Sequence, residues 1–372
     1  MPEMKAGLEG VVIGESRISS IIGTQLTYAG YEIDDLAENA TFEEVVYLLW
    51  NDRLPNEEEL KQFEADLFKY MSLAHEDEEV FKIFAKTGNQ PMAALRTSIS
   101  YLGMLDDEAD ILTEEANKNK SIRIQGAIPA IVANFDRFRK GLDVVKPKEE
   151  YGFAKNFLYM LYGEEPTDVQ VEAMEKALIL HADHEINAST FTARVCVATL
   201  SDLYSGTVAA IGALKGPLHG GANEQVMNML TEIGSLDKVD EYIHKKLENK
   251  EKIMGIGHRV YKEGDPRAKY LKEMSRKLTE ETGEPELYEM SIRIAEIVEE
   301  EKGLLPNVDF FSASVYHSMG ISHDLFTPIF AVSRTSGWLA HMLEQYANNR
   351  LIRPRAEYTG YTSRKYEPIE SR

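Results

Sequence analysis

Apolar positions along the chain recur at steps of three and four much more than in alternation, a pattern that predicts helices. Thr41-Phe42-Glu43-Glu44 reads as a capping box ahead of Val45, Val46, Leu48 and Leu49. A threonine and a glutamate three residues apart can each satisfy the other's backbone N–H at a helix start. Pro55-Asn56 predicts a second helix, with Leu60, Phe63, Leu67 and Tyr70 on its apolar face. Thr167 and Gln170 form another box before Val171, Met174, Leu178 and His181. Thr327-Pro328 predicts a cap with proline at the first helical position, leading into Ile329, Val332, Leu339, Met342 and Tyr346. Strand alternation is scarce, and a short hairpin within residues 26–33, turning at Ala29-Gly30, is its clearest case. The expected class is all-α.

Glycines at residues 216–221 and 255–264 break the helical pattern most sharply. At 372 residues, two domains are expected: a large one from 1–220 and 319–372, and a small one from 221–318. Hydrophobic residues make up 43% of the chain, enough for a large core without staples. The formal net charge of −21 argues against nucleic acid, which needs a basic face. It also draws attention to two basic islands, Arg259, Lys262, Arg267 and Lys269, then Arg350, Arg353 and Arg355. Each is either a small-anion site or solvated surface charge. Residues 1–10 lack the apolar stretch of a signal peptide, and no apolar run is long enough to cross a bilayer. The single cysteine, Cys196, sits in an apolar run and reads as a buried structural thiol in a reducing compartment. A cytoplasmic location is expected, with no membrane partner.

Three segments place ionisable residues in unusual surroundings. In Gly216-Pro217-Leu218-His219-Gly220-Gly221, glycines permit close approach of a ligand to the backbone. Val226, Leu230 and Ile233 predict a helix just after it, so His219 lies near a positive helix end that disfavours imidazolium. A neutral imidazole there can donate to an oxygen gaining charge; the alternative is a structural turn. In Gly255-Ile256-Gly257-His258-Arg259-Val260-Tyr261-Lys262, continuing to Asp265-Pro266-Arg267, backbone amides and cations suit a carboxylate or phosphate. It matches neither a dinucleotide fingerprint nor a phosphate-binding P-loop. In Pro306-Asn307-Val308-Asp309-Phe310-Phe311, an aspartate among apolar residues suits a base for a carbon acid, or it caps a helix. His181-Ala182-Asp183-His184-Glu185 invites a metal reading, but it has no His-Glu-x-x-His order and no third ligand cluster. No metal is expected, and His181 continues an apolar stripe as a packed core residue.

Together and in this order, these motifs resemble the citrate synthase family, from Gly7-Leu8-Glu9-Gly10 through Arg353-Pro354-Arg355. The resemblance implies an all-α homodimer whose smaller domain closes over acetyl-CoA and oxaloacetate, with no separate cofactor. It implies that Asp309 removes a methyl proton, His219 stabilises the enolate oxygen, and His258 polarises the oxaloacetate carbonyl. It also implies oxaloacetate binding by His184, His258, Arg267, Arg334 and Arg353, with Arg353 supplied by the partner subunit. Gly255, Gly257 and Lys262 match the CoA-binding segment. The start near Gly7 leaves no room for the β-rich domain linked to NADH inhibition in larger relatives, so none is expected. A 2-methylcitrate synthase using propionyl-CoA is the nearest rival, because one methylene is worth only about 1–3 kcal/mol of discrimination. A metal-dependent hydrolase built on His181 and His184, and a non-enzymatic helical scaffold, are the remaining alternatives.

Overall fold

The computed structural model describes residues 6–8, 10–87, 90–258, 260–261 and 263–372. Near the amino terminus, β1 (Ser19–Ile22), β2 (Gln25–Tyr28) and β3 (Tyr31–Glu32) form an antiparallel sheet in the order β1-β2-β3. The β2–β3 turn falls at Ala29-Gly30 as expected, with φ of 45° and 85°. Both residues in the left-handed region make the tight hairpin turn whose twist matches that of the strands. Strand β1 was not evident in the sequence, because Ser19-Ser20-Ile21-Ile22 does not alternate.

All other regular elements among the described residues are helices. The first group comprises α1 (Ile33–Asn39), α2 (Phe42–Asn51), α3 (Glu57–Phe68), α4 (Glu78–Thr87), α5 (Pro91–Leu105), α6 (Glu114–Arg139), α7 (Phe153–Tyr162), α8 (Asp168–His181), α9 (Ala188–Val197) and α10 (Leu203–Leu214). Then come α11 (Ala222–Ile233), α12 (Val239–Glu248), α13 (Ala268–Glu281), α14 (Pro285–Lys302), α15 (Val308–Ser318) and α16 (Phe326–Ala347). The capping boxes at Thr41/Glu44 and Thr167/Gln170 form as predicted, and Asn56 with Glu59 makes a third. Each such cap stabilises its helix by about 1 kcal/mol.

Two expectations need correction. Helix α3 ends at Phe68, so Tyr70 lies beyond it and is exposed. Helix α16 begins at Phe326, continuing from a 3-10 turn at His323–Leu325, so Thr327 and Pro328 lie inside its first turn. Thr327 does not cap; its hydroxyl donates to the Gly220 carbonyl oxygen at 3.2 Å.

Helix α16 is buried along most of its length, Trp338 included, with Ser333, Arg334 and His341 also inside. It packs against α2, α6, α8, α9 and α10, which places it in the centre of the fold. Gly337 allows the close crossing with α8, since a Cβ there would stand 2.5 Å from the Ala182 carbonyl oxygen. Farther along the chain, α13 packs on α15, α11 on α15, and α12 on α14, while α13 also touches α8. The carboxyl ends of α8 and the middle of α16 therefore meet the starts of α11 and α15.

Candidate active site

Helix α8 ends at His181, and the chain turns sharply before α9. Glu185 takes a φ of 49°, a costly value for a residue with a side chain. Side-chain bonds hold that turn: Glu185 Oε1 accepts the Ile21 N–H at 2.8 Å, and Asp183 Oδ2 accepts the Glu185 N–H at 3.1 Å. Asn187 caps α9 by accepting the Ser189 and Thr190 N–H groups. The turn thus presents His184 on one side and Ser189 on the other.

His219 sits in the turn before α11, as expected. Its Nε2 accepts the Ser189 N–H at 3.3 Å and lies 2.7 Å from Ser189 Oγ, which in turn receives the Trp338 indole N–H at 3.0 Å. A backbone N–H can only donate, so Nε2 is the acceptor and Nδ1 carries the ring proton. Burial, then the nearby Arg334 cation, lowers the His219 pKa to about 4. The ring is a neutral donor at physiological pH.

His258 is fixed in the opposite tautomer. Its Nδ1 accepts the N–H groups of Val260 at 3.1 Å and Tyr261 at 3.2 Å, which leaves the proton on Nε2. The Tyr261 ring lies 4.7 Å from His258 and 5.4 Å from His184, and the two imidazoles are 5.2 Å apart. The Tyr261 hydroxyl is 3.2 Å from His184 Nε2. Burial, helped by Arg267, Arg334 and His258, holds the His184 pKa well below the ordinary histidine value. Neutral imidazoles and guanidinium groups share this space.

Two buried arginines face it with different partners. Arg267 forms a two-pronged pair with Asp265, Nε to Oδ1 at 2.9 Å and Nη2 to Oδ2 at 2.8 Å. Arg334 is 2% exposed, donates through Nε to the His181 carbonyl oxygen at 2.6 Å, and stacks over Phe330 at 4.7 Å. No carboxylate lies within ion-pair distance of it among the described residues, and burial lowers its pKa to about 10. A buried cation lacking a carboxylate partner is built to receive an anion.

Asp309 is the second residue of α15 and not its cap, because Asn307 Oδ1 accepts the Asp309 N–H at 3.0 Å. The capping alternative for Asp309 is thereby removed. Asn307 Nδ2 donates to the Gly257 carbonyl oxygen at 2.9 Å, the Asn307 N–H to the Gly255 carbonyl oxygen at 2.9 Å, and the Gly257 N–H to that of Leu305 at 2.8 Å. The His258 loop and the Asp309 helix start are thus one hydrogen-bonded unit. Asp265 adds to it by accepting the Val308 N–H at 3.0 Å.

His184, His219, His258, Arg267, Arg334 and Asp309 accordingly come from five segments to one place. Gly255 and Gly257 lie in the loop beneath His258, whereas Lys262 and Arg259 fall outside the described residues. Arg353 is exposed in the irregular segment after α16 and makes no contact with the other site residues among the described residues. The first basic island does not act as one group, since Lys269 pairs at the surface with Asp34 at 2.7 Å. Cys196 is half-buried, not buried, and burial raises its thiol pKa. The sequence motifs do not single out Ser189, Asp265 or Tyr261 as site residues. Tyr261 and Asp265 stood inside quoted motifs, but Ser189 lies 30 residues from His219 and carries no local signal.

A carboxylate, a neutral imidazole donor and a cation-lined cradle are the parts needed to make and hold an enolate. The family profile described as "Citrate synthase, C-terminal domain" matches residues 7–355. The chain is 66% identical over 366 residues to citrate synthase 2 of Bacillus subtilis, covering 98% of each chain. It is 42% identical to a 2-methylcitrate synthase of Shewanella oneidensis, covering 99% of this chain and 98% of that one. Among solved structures, it resembles a citrate synthase of the thermophilic archaeon Thermoplasma acidophilum, in ternary complex with carboxymethyl coenzyme A and oxaloacetate. The TM-score is 0.93 at 35% identity, over 99% of both chains. The chain belongs to the citrate synthase family.

Proposed function

We propose that this chain condenses acetyl-CoA with oxaloacetate and hydrolyses the thioester to release citrate and CoA. The observation that carries the reading is the pair of imidazoles locked in opposite tautomers, His219 by Ser189 and His258 by the Val260 and Tyr261 amides. Asp309 takes a methyl proton from acetyl-CoA, and the C–H electron pair moves into the enolate. His219 Nδ1–H stabilises the enolate oxygen without itself being charged, because burial and Arg334 lower its pKa to about 4. His258 Nε2–H polarises the oxaloacetate carbonyl and protonates its oxygen as the carbon–carbon bond forms. Water then cleaves the thioester. None of these steps needs a metal or a separate cofactor.

Arg334 meets one oxaloacetate carboxylate, Arg267 and His184 help to hold the substrate, and Arg353 of a second copy completes the set. The last assignment is supported by the exposure of Arg353 in the irregular segment after α16. Gly255, Gly257 and Lys262 are read as contacts for CoA. Residues 221–318 are read as the smaller domain, with the glycines at 216–221 and Gly255 as hinges. A cytoplasmic setting suits a chain with one cysteine.

A 2-methylcitrate synthase is the second reading, favoured by the 42% identity to one such enzyme but outweighed by the 66% identity to a citrate synthase. Thiol release from acetyl-CoA and from propionyl-CoA, each with and without oxaloacetate, separates them. Oxaloacetate-dependent release with higher kcat/KM for acetyl-CoA is expected. A preference for propionyl-CoA would move the assignment to the second reading, and no release from either would remove both.

A further inference from the structure

His181 closes α8 with only 1% of its surface exposed, and no step above uses it. Its Nδ1 lies 2.7 Å from the Ala177 carbonyl oxygen. A carbonyl oxygen can only accept, so Nδ1 carries a proton, and in the neutral form of the ring Nε2 is then a lone pair. Nε2 stands 3.9 Å from Asp309 Oδ1. Both atoms are sealed from solvent, and neither has a hydrogen-bond partner among the described residues. The ring is wedged edge-on against Phe330, with centroids 5.0 Å apart. The backbone behind it is held by the Arg334 Nε bond to the His181 carbonyl oxygen.

An imidazole lone pair opposite a carboxylate oxygen is repulsive while the acid is ionised. Once the acid carries a proton, the same two atoms make an O–H···N hydrogen bond. A partner that bonds the neutral form of an acid favours that form.

We propose that His181 is a positioning residue for the base: its Nε2 receives the O–H that Asp309 gains on deprotonating the thioester methyl group. The inference rests on reading Asp309 as that base. The methyl C–H bond breaks, its electron pair passes to the enolate held by His219, and an O–H bond forms on Asp309. Rotation about Cβ–Cγ brings that O–H to Nε2. The contact therefore stabilises the state reached after proton transfer and not the ground state, which is the condition for a gain in kcat. Among the described residues, Arg334 on α16, His219 before α11 and Tyr316 on its own helix also face Asp309.

His181→Asn and His181→Gln separate this role from packing. An asparagine amide can replace the Nδ1 donor but leaves nothing at Nε2; a glutamine amide reaches the Nε2 position and can accept there. His181→Asn is expected to lower kcat about 10- to 100-fold with the KM for oxaloacetate within about threefold of wild type. The deuterium isotope effect on kcat with methyl-deuterated acetyl-CoA should rise, and the acid limb of the kcat–pH profile should move to lower pH. His181→Gln should recover part of kcat. Equal losses in the two variants with an unchanged isotope effect would reduce His181 to packing and overturn the proposal. An acid limb moved to higher pH would mean that Nε2 holds a proton towards the carboxylate, and would also overturn it. Wild-type protein assayed alongside keeps the two readings apart, since absent thiol release there would sink the proposed function itself. One further measurement needs no His181 variant. In Asp309→Asn the new amide N–H can donate to Nε2, so that variant should melt above wild type; a lower melting temperature contradicts the proposal.

Discussion

At the scale of single residues, the site is a set of side chains whose protonation is decided by backbone groups and buried ions. His219 illustrates how little of this a sequence displays. The Gly-Pro-Leu-His-Gly-Gly motif marks the residue, but its tautomer depends on Ser189, which only the folded chain brings within 2.7 Å. Ser189→Ala should keep the backbone N–H on Nε2 and lose the hydroxyl shared with Trp338. We expect kcat to fall about tenfold with the oxaloacetate KM little changed, as steady-state kinetics would show. Arg267 was legible as a cation, whereas its buried partner Asp265 was not singled out. Asp265→Ala strands a buried guanidinium, which costs about 3–5 kcal/mol. Denaturant unfolding should show that loss, together with a raised KM for oxaloacetate.

At the scale of elements, local signals succeeded where the chemistry was local. Capping boxes at Thr41 and Thr167 depend on residues three apart, and both formed. The start of α16 departs from the capping expectation because a preceding 3-10 turn runs straight into it, so Thr327 lies inside the helix and bonds Gly220 instead. The coupling of the His258 loop to the start of α15 is a long-range pairing of two short motifs, invisible to periodicity. Gly255 is its pivot, with a φ of 73° and a position where a Cβ would lie 2.9 Å from the Phe310 Cα. Gly255→Ala combines left-handed strain with a backbone clash, worth about 1–3 kcal/mol. Because the loop carries His258 and is tied to Asn307, kcat should fall by more than the loss of stability alone explains. Comparing melting temperature with kcat in the same preparation checks this.

At the scale of the whole molecule, the all-α class and the family were legible from one end of the chain to the other, while the buried charges that constrain stability were not. Glu43 and Glu175 are such a pair. Glu43 accepts the Phe153 N–H at 2.6 Å at the start of α7, and Glu175 accepts the Phe42 N–H at the start of α2. Burial, then repulsion from Glu43, raises the Glu175 pKa to about 8 from 4.5. The unfolded chain releases this proton near pH 4.5 while the fold retains it to about pH 8, so stability declines as pH rises through that window. Glu175→Gln keeps an acceptor for Phe42 and removes the titration. It should melt higher than wild type at pH 9, by about 3 °C or more, and show no such gain at pH 5. Calorimetric scans at the two pH values decide it.

Asp309 is read as the base at the meeting point of α8, α15 and α16. Asp309→Asn keeps the shape and removes the base. Its thiol release from acetyl-CoA and its oxaloacetate affinity by calorimetry should therefore part company. The expected result is a kcat lowered at least about 100-fold with oxaloacetate bound within about threefold of wild type. A variant that retained a tenth or more of kcat would show that another group takes the proton, and would contradict the assignment.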